Sequence, residues 1–308
     1  MPNYNVIIPI FNEEENIKLI NDTIKSLDIN HKLTITFIDD GSTDNSLKII
    51  KDICSKNNNN NFISFSRNFG HQIALSAGID FSNSDAVIMM DADLQHPVKF
   101  IPEMIDKHLK GYDVVQMVKI NQGKRNPIIR LFSFCFYYFF RKLSTLNLSN
   151  NVSDFRLISK KVINQLKQIN EKERFLRGLV QWVGFKYTEI NYSPSKRMFG
   201  VSKYGFGKLL KLASFGIFSF STLPLKLSLY VGFFLSSFSF IFGTFAIIKK
   251  LFINQNIPVG YTDLIVFITF IGGVQLMFLG LIGLYIIKIF DQVRNRPLYI
   301  VNEKNIND

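Results

Sequence analysis

The sequence predicts an α/β domain with a parallel sheet, followed by two helices that cross a membrane. Three observations carry this. Short apolar runs alternate with helically patterned stretches as far as Met90, those runs end in polar clusters, and two long uncharged runs lie near the C-terminus.

The apolar runs are Val6–Pro9, Leu33–Ile38, Phe62–Phe65 and Ala86–Met90. Between them Glu13–Leu27, Ser46–Ser55 and Gly70–Phe81 carry helical patterning. Such alternation builds a parallel sheet, whose ligands bind outside the carboxyl ends of the strands. At those ends stand Asn12-Glu13-Glu14, Asp39-Asp40-Gly41-Ser42, Ser66-Arg67-Asn68 and Asp91-Ala92-Asp93. Four strands ending in polar groups form one rim, a stronger signal than any single cluster. The asparagine run Asn57–Asn61 reads as a connecting loop in solvent.

Leu227–Ile248 and Leu264–Ile287 are uncharged and mostly apolar. About 20 such residues, at 1.5 Å rise each, cross a hydrocarbon core of about 30 Å. The linker Lys249–Asp263 is short, so the spans form a hairpin that returns the chain to its starting side. Lysines before the first span, and Lys288, Arg294 and Arg296 after the second, mark that side as cytosolic; Lys249 and Lys250 oppose this weakly. Leu131–Phe140, bracketed by Arg130 and Arg141, is too short to span. It lies either in the headgroup region or on the core of the soluble domain. Phe206–Leu223 mixes leucine and phenylalanine with Lys208 and Lys211, as an interfacial helix does.

The formal net charge is +12, and no acidic residue occurs in Lys119–Ser153 or Ile190–Thr262. Basic residues beside membrane spans point to anionic phospholipid and away from nucleic acid. Cys54 and Cys135, the only cysteines, form neither a metal cluster nor a disulfide framework. The N-terminus shows no charged leader before an apolar run, so no cleaved signal peptide is expected.

Asp91-Ala92-Asp93 follows an apolar strand and precedes Leu94-Gln95-His96-Pro97. Two carboxylates at a strand end suit a hard divalent cation, magnesium or manganese, that keeps waters and takes diphosphate oxygens as further ligands.

In the stretches Val6–Ile17, Phe37–Ser46, Phe65–Asp80, Met89–Pro97, Asp154–Val162 and Ser202–Leu212 the chain resembles family 2 glycosyltransferases of the GT-A fold, a Rossmann-like nucleotide-sugar domain. Within that family it resembles the polyprenyl-phosphate glycosyltransferases, the group of bactoprenol glucosyltransferases and dolichol-phosphate mannose synthases. Gly70-His71-Gln72 and the ending Arg296–Val301 resemble the bactoprenol branch most. The resemblance implies a catalytic domain over residues 1–200, a juxtamembrane amphipathic segment over 201–225, a transmembrane hairpin over 226–290 and a cytosolic tail over 291–308. It implies a multi-pass protein of the cytoplasmic membrane, with a tetramer as its oligomer.

The donor implied is a nucleotide-diphosphate sugar, with UDP-glucose first, and GDP-mannose or a modified sugar such as aminoarabinose open. Pro9, Asn12, Glu14 and either Asp39 or Asp40 would hold base and ribose. Asp93 would bind the cation, with Asp91 on cation or donor, Gln95 near the sugar, and Arg197 on the diphosphate. Arg67 serves either phosphate or the fold. The acceptor implied is a polyprenyl phosphate, undecaprenyl phosphate, held by Lys119, Arg125, Arg130, Ser202 and Lys203. Asp154 either orients acceptor or sugar, or caps a helix.

Three positions depart from the family: Lys119 stands where relatives often carry arginine, Val201 where an acid is common, and Leu284 where many carry an intramembrane glutamate. Processive polysaccharide synthases usually carry Gln-x-x-Arg-Trp and more spans, whereas here Gln181 directly precedes Trp182. The intact Asp91, Asp93, Gln95 and Arg197 argue against an inactive scaffold.

Overall fold

The computed structural model describes residues 1–120, 152–172, 174–193, 230–235, 237–238, 241 and 261–306. The chain divides into two compact units, one of Met1–Lys211 with Pro297–Asp308, the other of Leu212–Arg296.

The first unit is built on an eight-stranded sheet. Its strands are β1 (Asn3–Ile10), β2 (Lys32–Asp39), β3 (Asn60–Phe65), β4 (Ala86–Met89), β5 (Val114–Lys119), β6 (Val152–Ser159), β7 (Tyr187–Tyr192) and β8 (Val301–Asn305). Their order across the sheet is β7-β5-β6-β4-β1-β2-β3-β8. The four predicted strands form the parallel half, β4-β1-β2-β3. The rest corrects the all-parallel expectation. β6 runs antiparallel to both β4 and β5, while β5 and β7 are parallel. β8 pairs antiparallel with β3. Helix α4 still links β4 to β5, but β6 enters antiparallel between those two strands, and antiparallel neighbours need no crossover helix, so alternation carries no signal for its direction.

The direction of β6 decides what meets at the rim. β5 and β7 run the same way as β4, so Lys119 and Tyr192 end where Met89 ends. β6 begins there, which delivers Ser153 and Asp154 to the same edge.

Helices α1 (Ile17–Lys25), α2 (Ser46–Lys56) and α4 (Ile101–Leu109) bury Ile17, Ile20 and Ile24, Ile50 and Ile53, and Met104 and Ile105 against Val6, Ile8, Phe37, Ile88 and Leu157. Their buried residues recur at helical spacing, and alternate strand residues meet them, as amphipathic layers require. On the opposite face α3 (His71–Phe81) lies so close to β1 that a Cβ on Gly78 would come within 2.4 Å of Ile7 Cγ2. Helices α5 (Lys160–Gln168) and α6 (Leu176–Trp182) follow β6.

Two local expectations are corrected. The predicted helix Glu13–Leu27 starts only at Ile17, because Asn12 takes a left-handed φ of +54° and the amides of Asn12, Glu13 and Glu14 donate to Ser42, Ser46 and Asp44. The asparagine run is not a solvent loop throughout. Asn60 and Asn61 open β3 and are buried, with Asn60 Nδ2 donating to Asn21 Oδ1 at 2.8 Å. A buried amide with a partner is stable in a core, and hydropathy alone does not reveal the partner.

The segment read as a tail supplies β8. Tyr299 stacks on Phe65 at 5.1 Å, and its hydroxyl donates to Asp80 Oδ2 at 3.1 Å.

In the second unit, helix α7 (Tyr261–Val293) contains Phe270–Val293, with a mean hydropathy of 2.1, long and apolar enough to cross a membrane. The predicted span Leu264–Ile287 lies within α7. Of Leu227–Ile248 only 230–235, 237–238 and 241 are described, all helical. The predicted surface helices Leu131–Phe140 and Phe206–Leu223 lie outside the described residues.

Candidate active site

The rim assembles from its loops upward. After β2, Gly41 turns the chain with a φ of +68°, and a Cβ there would lie 2.4 Å from the carbonyl carbon of Arg67. Only glycine lets the β2 and β3 loops approach this closely. Asp40, on that turn, accepts the amides of Phe69 at 2.7 Å and Gly70 at 2.9 Å, tying β2 to the start of α3. Burial raises the Asp40 carboxyl, and these two amides oppose the rise. Asp39 accepts Ser42 N at 3.1 Å and Ser64 Oγ at 2.7 Å. Both aspartates are thus buried and held from inside the domain.

The first loop is tied to the second in the same way. Asn12 Oδ1 accepts Thr43 N at 2.8 Å, and Glu14 Oε2 accepts Asn45 N at 3.0 Å. Pro9 is a buried residue of β1, opposite Ile38, and so stands behind the loop. Arg67 is exposed at the rim and lies over the Phe69 ring at 4.0 Å.

The two-aspartate turn follows β4. Asp91 N donates to His96 Nδ1 at 3.0 Å, which closes the turn and leaves the proton of neutral His96 on Nε2. That nitrogen lies 2.9 Å from Ser153 Oγ and 3.5 Å from Asp91 Oδ2. His96 is buried, stacked on Phe155 at 5.1 Å, and burial lowers its pKa against the pull of Asp91. Leu94 adopts a φ of +58°, and Gln95 N donates to Asp93 Oδ1 at 3.1 Å. A left-handed leucine is a strained residue held by its surroundings, as occurs at functional turns. Neither aspartate caps the next helix, since α4 starts after Phe100 without a side-chain cap.

The second cluster centres on Asp154, in β6 and therefore not a helix cap. Arg177, from α6, grips it with Nε to Oδ1 at 2.8 Å and Nη2 to Oδ2 at 2.6 Å. Arg156 Nη2 lies 3.5 Å from Oδ1, and Gln72 Nε2 donates to Oδ2 at 3.4 Å. Burial alone would raise the Asp154 carboxyl, but Arg177 and Arg156 hold it well below the usual range. Burial also brings Arg156 down to about 10.

His71 joins the clusters, with Nε2 3.3 Å from Asp91 Oδ1 and 3.9 Å from Asp154 Oδ2. Lys119 completes the group from β5. Burial lowers its pKa, while Asp91, Asp93 and Asp154 raise it and Arg177 lowers it further. A cation fits this arrangement. Asp91 Oδ1 is buried and accepts no well-aligned hydrogen bond, its polar neighbour being His71 Nε2 at 3.3 Å, and carboxylates are the ligands magnesium and manganese take. Among the described residues no three metal-ligating side chains cluster, so substrate oxygens and water would complete the shell.

Of the predicted site residues, Asp91, Asp93, Asp154 and Lys119 therefore come together, and Gln95 follows on the same turn. Arg125, Arg130, Arg197, Ser202 and Lys203 lie outside the described residues. Sequence reasoning missed His71, Gln72, His96, Arg156 and Arg177 as site residues. The run Gly70-His71-Gln72, opening a helix directly after β3, was the available signal for the first two.

Residues 5–167 match the family model for glycosyl transferase family 2. The chain is 38% identical to the SfII prophage-derived bactoprenol glucosyl transferase of Shigella flexneri, over 97% of each chain. It is also 38% identical to an uncharacterised glycosyltransferase of Synechocystis, over 97% of this chain and 94% of that one. Among solved structures, glucosyl-3-phosphoglycerate synthase from Mycobacterium tuberculosis, in complex with Mn2+, UDP and phosphoglyceric acid, is similar at 18% identity and a TM-score of 0.46, over 69% of this chain and 75% of that one.

Proposed function

The chain belongs to glycosyl transferase family 2 and is a glycosyltransferase, and from that premise we propose that it moves one hexose from a nucleotide-diphosphate sugar to a membrane polyprenyl phosphate. UDP-glucose is the first-choice donor and undecaprenyl phosphate the first-choice acceptor. The observation that carries this reading is the meeting of the Asp91–Asp93 turn, Lys119 and the Asp154–Arg177 pair at one rim, in a chain that also holds an apolar helix of membrane-spanning length.

The reaction is a single displacement with inversion at the sugar carbon. The acceptor phosphate is already ionised near neutral pH, so it attacks without a strong general base, and positioning and charge neutralisation dominate. Asp93, with Asp91, would hold a divalent cation, which when bound neutralises the donor diphosphate. His96 fixes the Asp91 backbone and faces its carboxylate. Lys119, with Arg125 and Arg130, holds the acceptor phosphate, joined by Ser202 and Lys203, and Arg197 steadies the leaving diphosphate. Asn12, Glu14, Asp39 and Asp40 shape the base and ribose side of the rim.

Two crossings of the cytoplasmic membrane fit this reading. Residues to Lys211 and from Pro297 belong to one compact unit, which supports an even number of crossings between them, with α7 as the candidate for one. The catalytic unit then lies on the cytosolic side, with residues 201–225 as the juxtamembrane segment. A tetramer is the oligomer the family resemblance favours.

The test is a screen of nucleotide sugars against undecaprenyl phosphate with magnesium or manganese, read by mass spectrometry of the lipid. A lipid-phosphate hexose from UDP-glucose is expected. Product from GDP-mannose or an aminoarabinose donor alone would change the sugar, and no product from any donor would overturn the reading.

A further inference from the structure

Asp154 is buried yet engaged from two elements beyond its own strand. Arg177 binds both of its oxygens at 2.8 and 2.6 Å from α6, and Gln72 on α3 donates to Oδ2 at 3.4 Å. Gln72 Oε1 in turn accepts Leu176 N at 3.2 Å, so the first turns of α3 and α6 close on the same carboxylate. Beneath it Arg156 is buried, with Nε and Nη1 lacking hydrogen-bond partners. A two-point arginine grip fixes direction as well as charge.

We propose that Arg177 is a positioning residue for the transfer, gripping Asp154 so that it stands as a fixed, directed anion that accepts a hydrogen bond from a hydroxyl of the donor sugar. The inference rests on the transfer reading above. A carboxylate repels the phosphates of both substrates, which leaves the sugar hydroxyls as the substrate groups suited to it. Each oxygen of a carboxylate has two lone pairs: Arg177 and Gln72 fill those of Oδ2, while Oδ1 takes one bond from Arg177 and has Arg156 Nη2, which donates to Ser153 O, no nearer than 3.5 Å, so one acceptor position remains, on Oδ1. Asp154, held well below the usual carboxylate range, is a poor proton acceptor, which agrees with an acceptor phosphate that needs no base. Arg177 does not itself touch substrate in this scheme.

The test uses the full-length chain with Arg177→Gln, Arg177→Lys, Asp154→Asn and the double variant Arg177→Gln/Asp154→Asn. Transfer kinetics are measured beside binding of the nucleoside diphosphate of whichever donor the wild type uses. Arg177→Gln should lower kcat on the order of 100-fold, the usual consequence of a misplacement of about 1 Å at a reacting centre. Nucleoside diphosphate affinity should stay within about threefold, because that ligand lacks the sugar. Arg177→Lys should fall between wild type and Arg177→Gln, since an ammonium keeps the charge but not the two-point grip. The double variant should be no slower than the slower single variant, because both changes remove one unit. Multiplying losses, an undiminished Arg177→Gln, or an equal loss of nucleoside diphosphate binding would each overturn the proposal. Should Arg177→Gln fail to fold, Arg177→Lys decides, with melting temperature recorded: full activity in a folded lysine variant overturns it. An inactive wild type in the same assay refutes the transfer reading instead, so the two failures are separable.

Discussion

Replacing Gly41 by alanine tests the architecture of the rim. At a φ of +68° an added Cβ would meet Arg67 C at 2.4 Å, Asn68 N at 2.7 Å and Arg67 Cα at 2.8 Å. All three are backbone atoms, so no flexible side chain can yield and the β2 and β3 loops must separate. The left-handed conformation itself costs an alanine about 1–2 kcal/mol. Separation also strains the bonds from Phe69 and Gly70 to buried Asp40, and a buried group left unsatisfied costs a further 1–3 kcal/mol or so. The sum is about 2–5 kcal/mol, a large part of a typical domain's 5–15 kcal/mol or so. Gly111 provides the control. Its φ is +87°, but nothing lies within 4 Å of an added Cβ, so alanine there meets the conformational cost alone. Thermal melting of detergent-solubilised full-length protein compares them. At roughly 2–4 °C per kcal/mol, Gly111→Ala should lower Tm by about 2–8 °C and Gly41→Ala by several degrees more, with weakened nucleotide binding. Equal shifts, with nucleotide binding intact in both, would refute the loop contact as the reason for glycine.

Three further outcomes are expected. Asp93→Asn should abolish measurable transfer while the melting temperature stays near wild type; retained transfer would remove Asp93 from the site. His96→Ala should weaken apparent cation affinity or activity about 10–100-fold, because His96 closes the turn that aims Asp91, and titration of activity with manganese reads this directly. In a Cys135→Ser background, buried Cys54, its thiol pushed up by burial to about 12, should resist a maleimide at pH 8 until the protein is unfolded. Because that pKa is raised on folding, the associated stability is present below pH 9 and drains away as pH rises towards 12, and Cys54→Ala should remove this alkaline sensitivity.

The parallel half of the sheet and the polar ends of its strands are legible in the sequence because apolar runs and helical patterns alternate there. The two-aspartate turn is legible because its residues are adjacent in the chain. What escapes depends on contacts between distant residues. Asp154 meets its partner Arg177 only because β6 runs backward and α6 folds over its first residues, and no local pattern encodes that. His96 reads as part of a motif, yet its work is to accept one backbone amide from inside a core. Asn60 reads as a loop residue because polarity is visible in a sequence and its partner Asn21 is not. Asp39 and Asp40 fall at the rim in both sequence and structure, but their engagement by Ser64 and by the Phe69 and Gly70 amides needs the third strand placed beside the second.

The pairing of β8 with β3 has a consequence for biosynthesis. β3 ends at Phe65, and the strand that covers its outer edge starts at Val301, after the whole of the second unit. At roughly 5–20 residues per second, a ribosome needs on the order of tens of seconds to supply that strand. Throughout this interval the edge carries unpaired amides and carbonyls, the kind of surface on which nascent chains aggregate. The enzyme domain is therefore begun before the second unit and closed only after it. A message cut short anywhere before Val301 yields a sheet with an open side, so the catalytic fold closes only after the second unit has been translated.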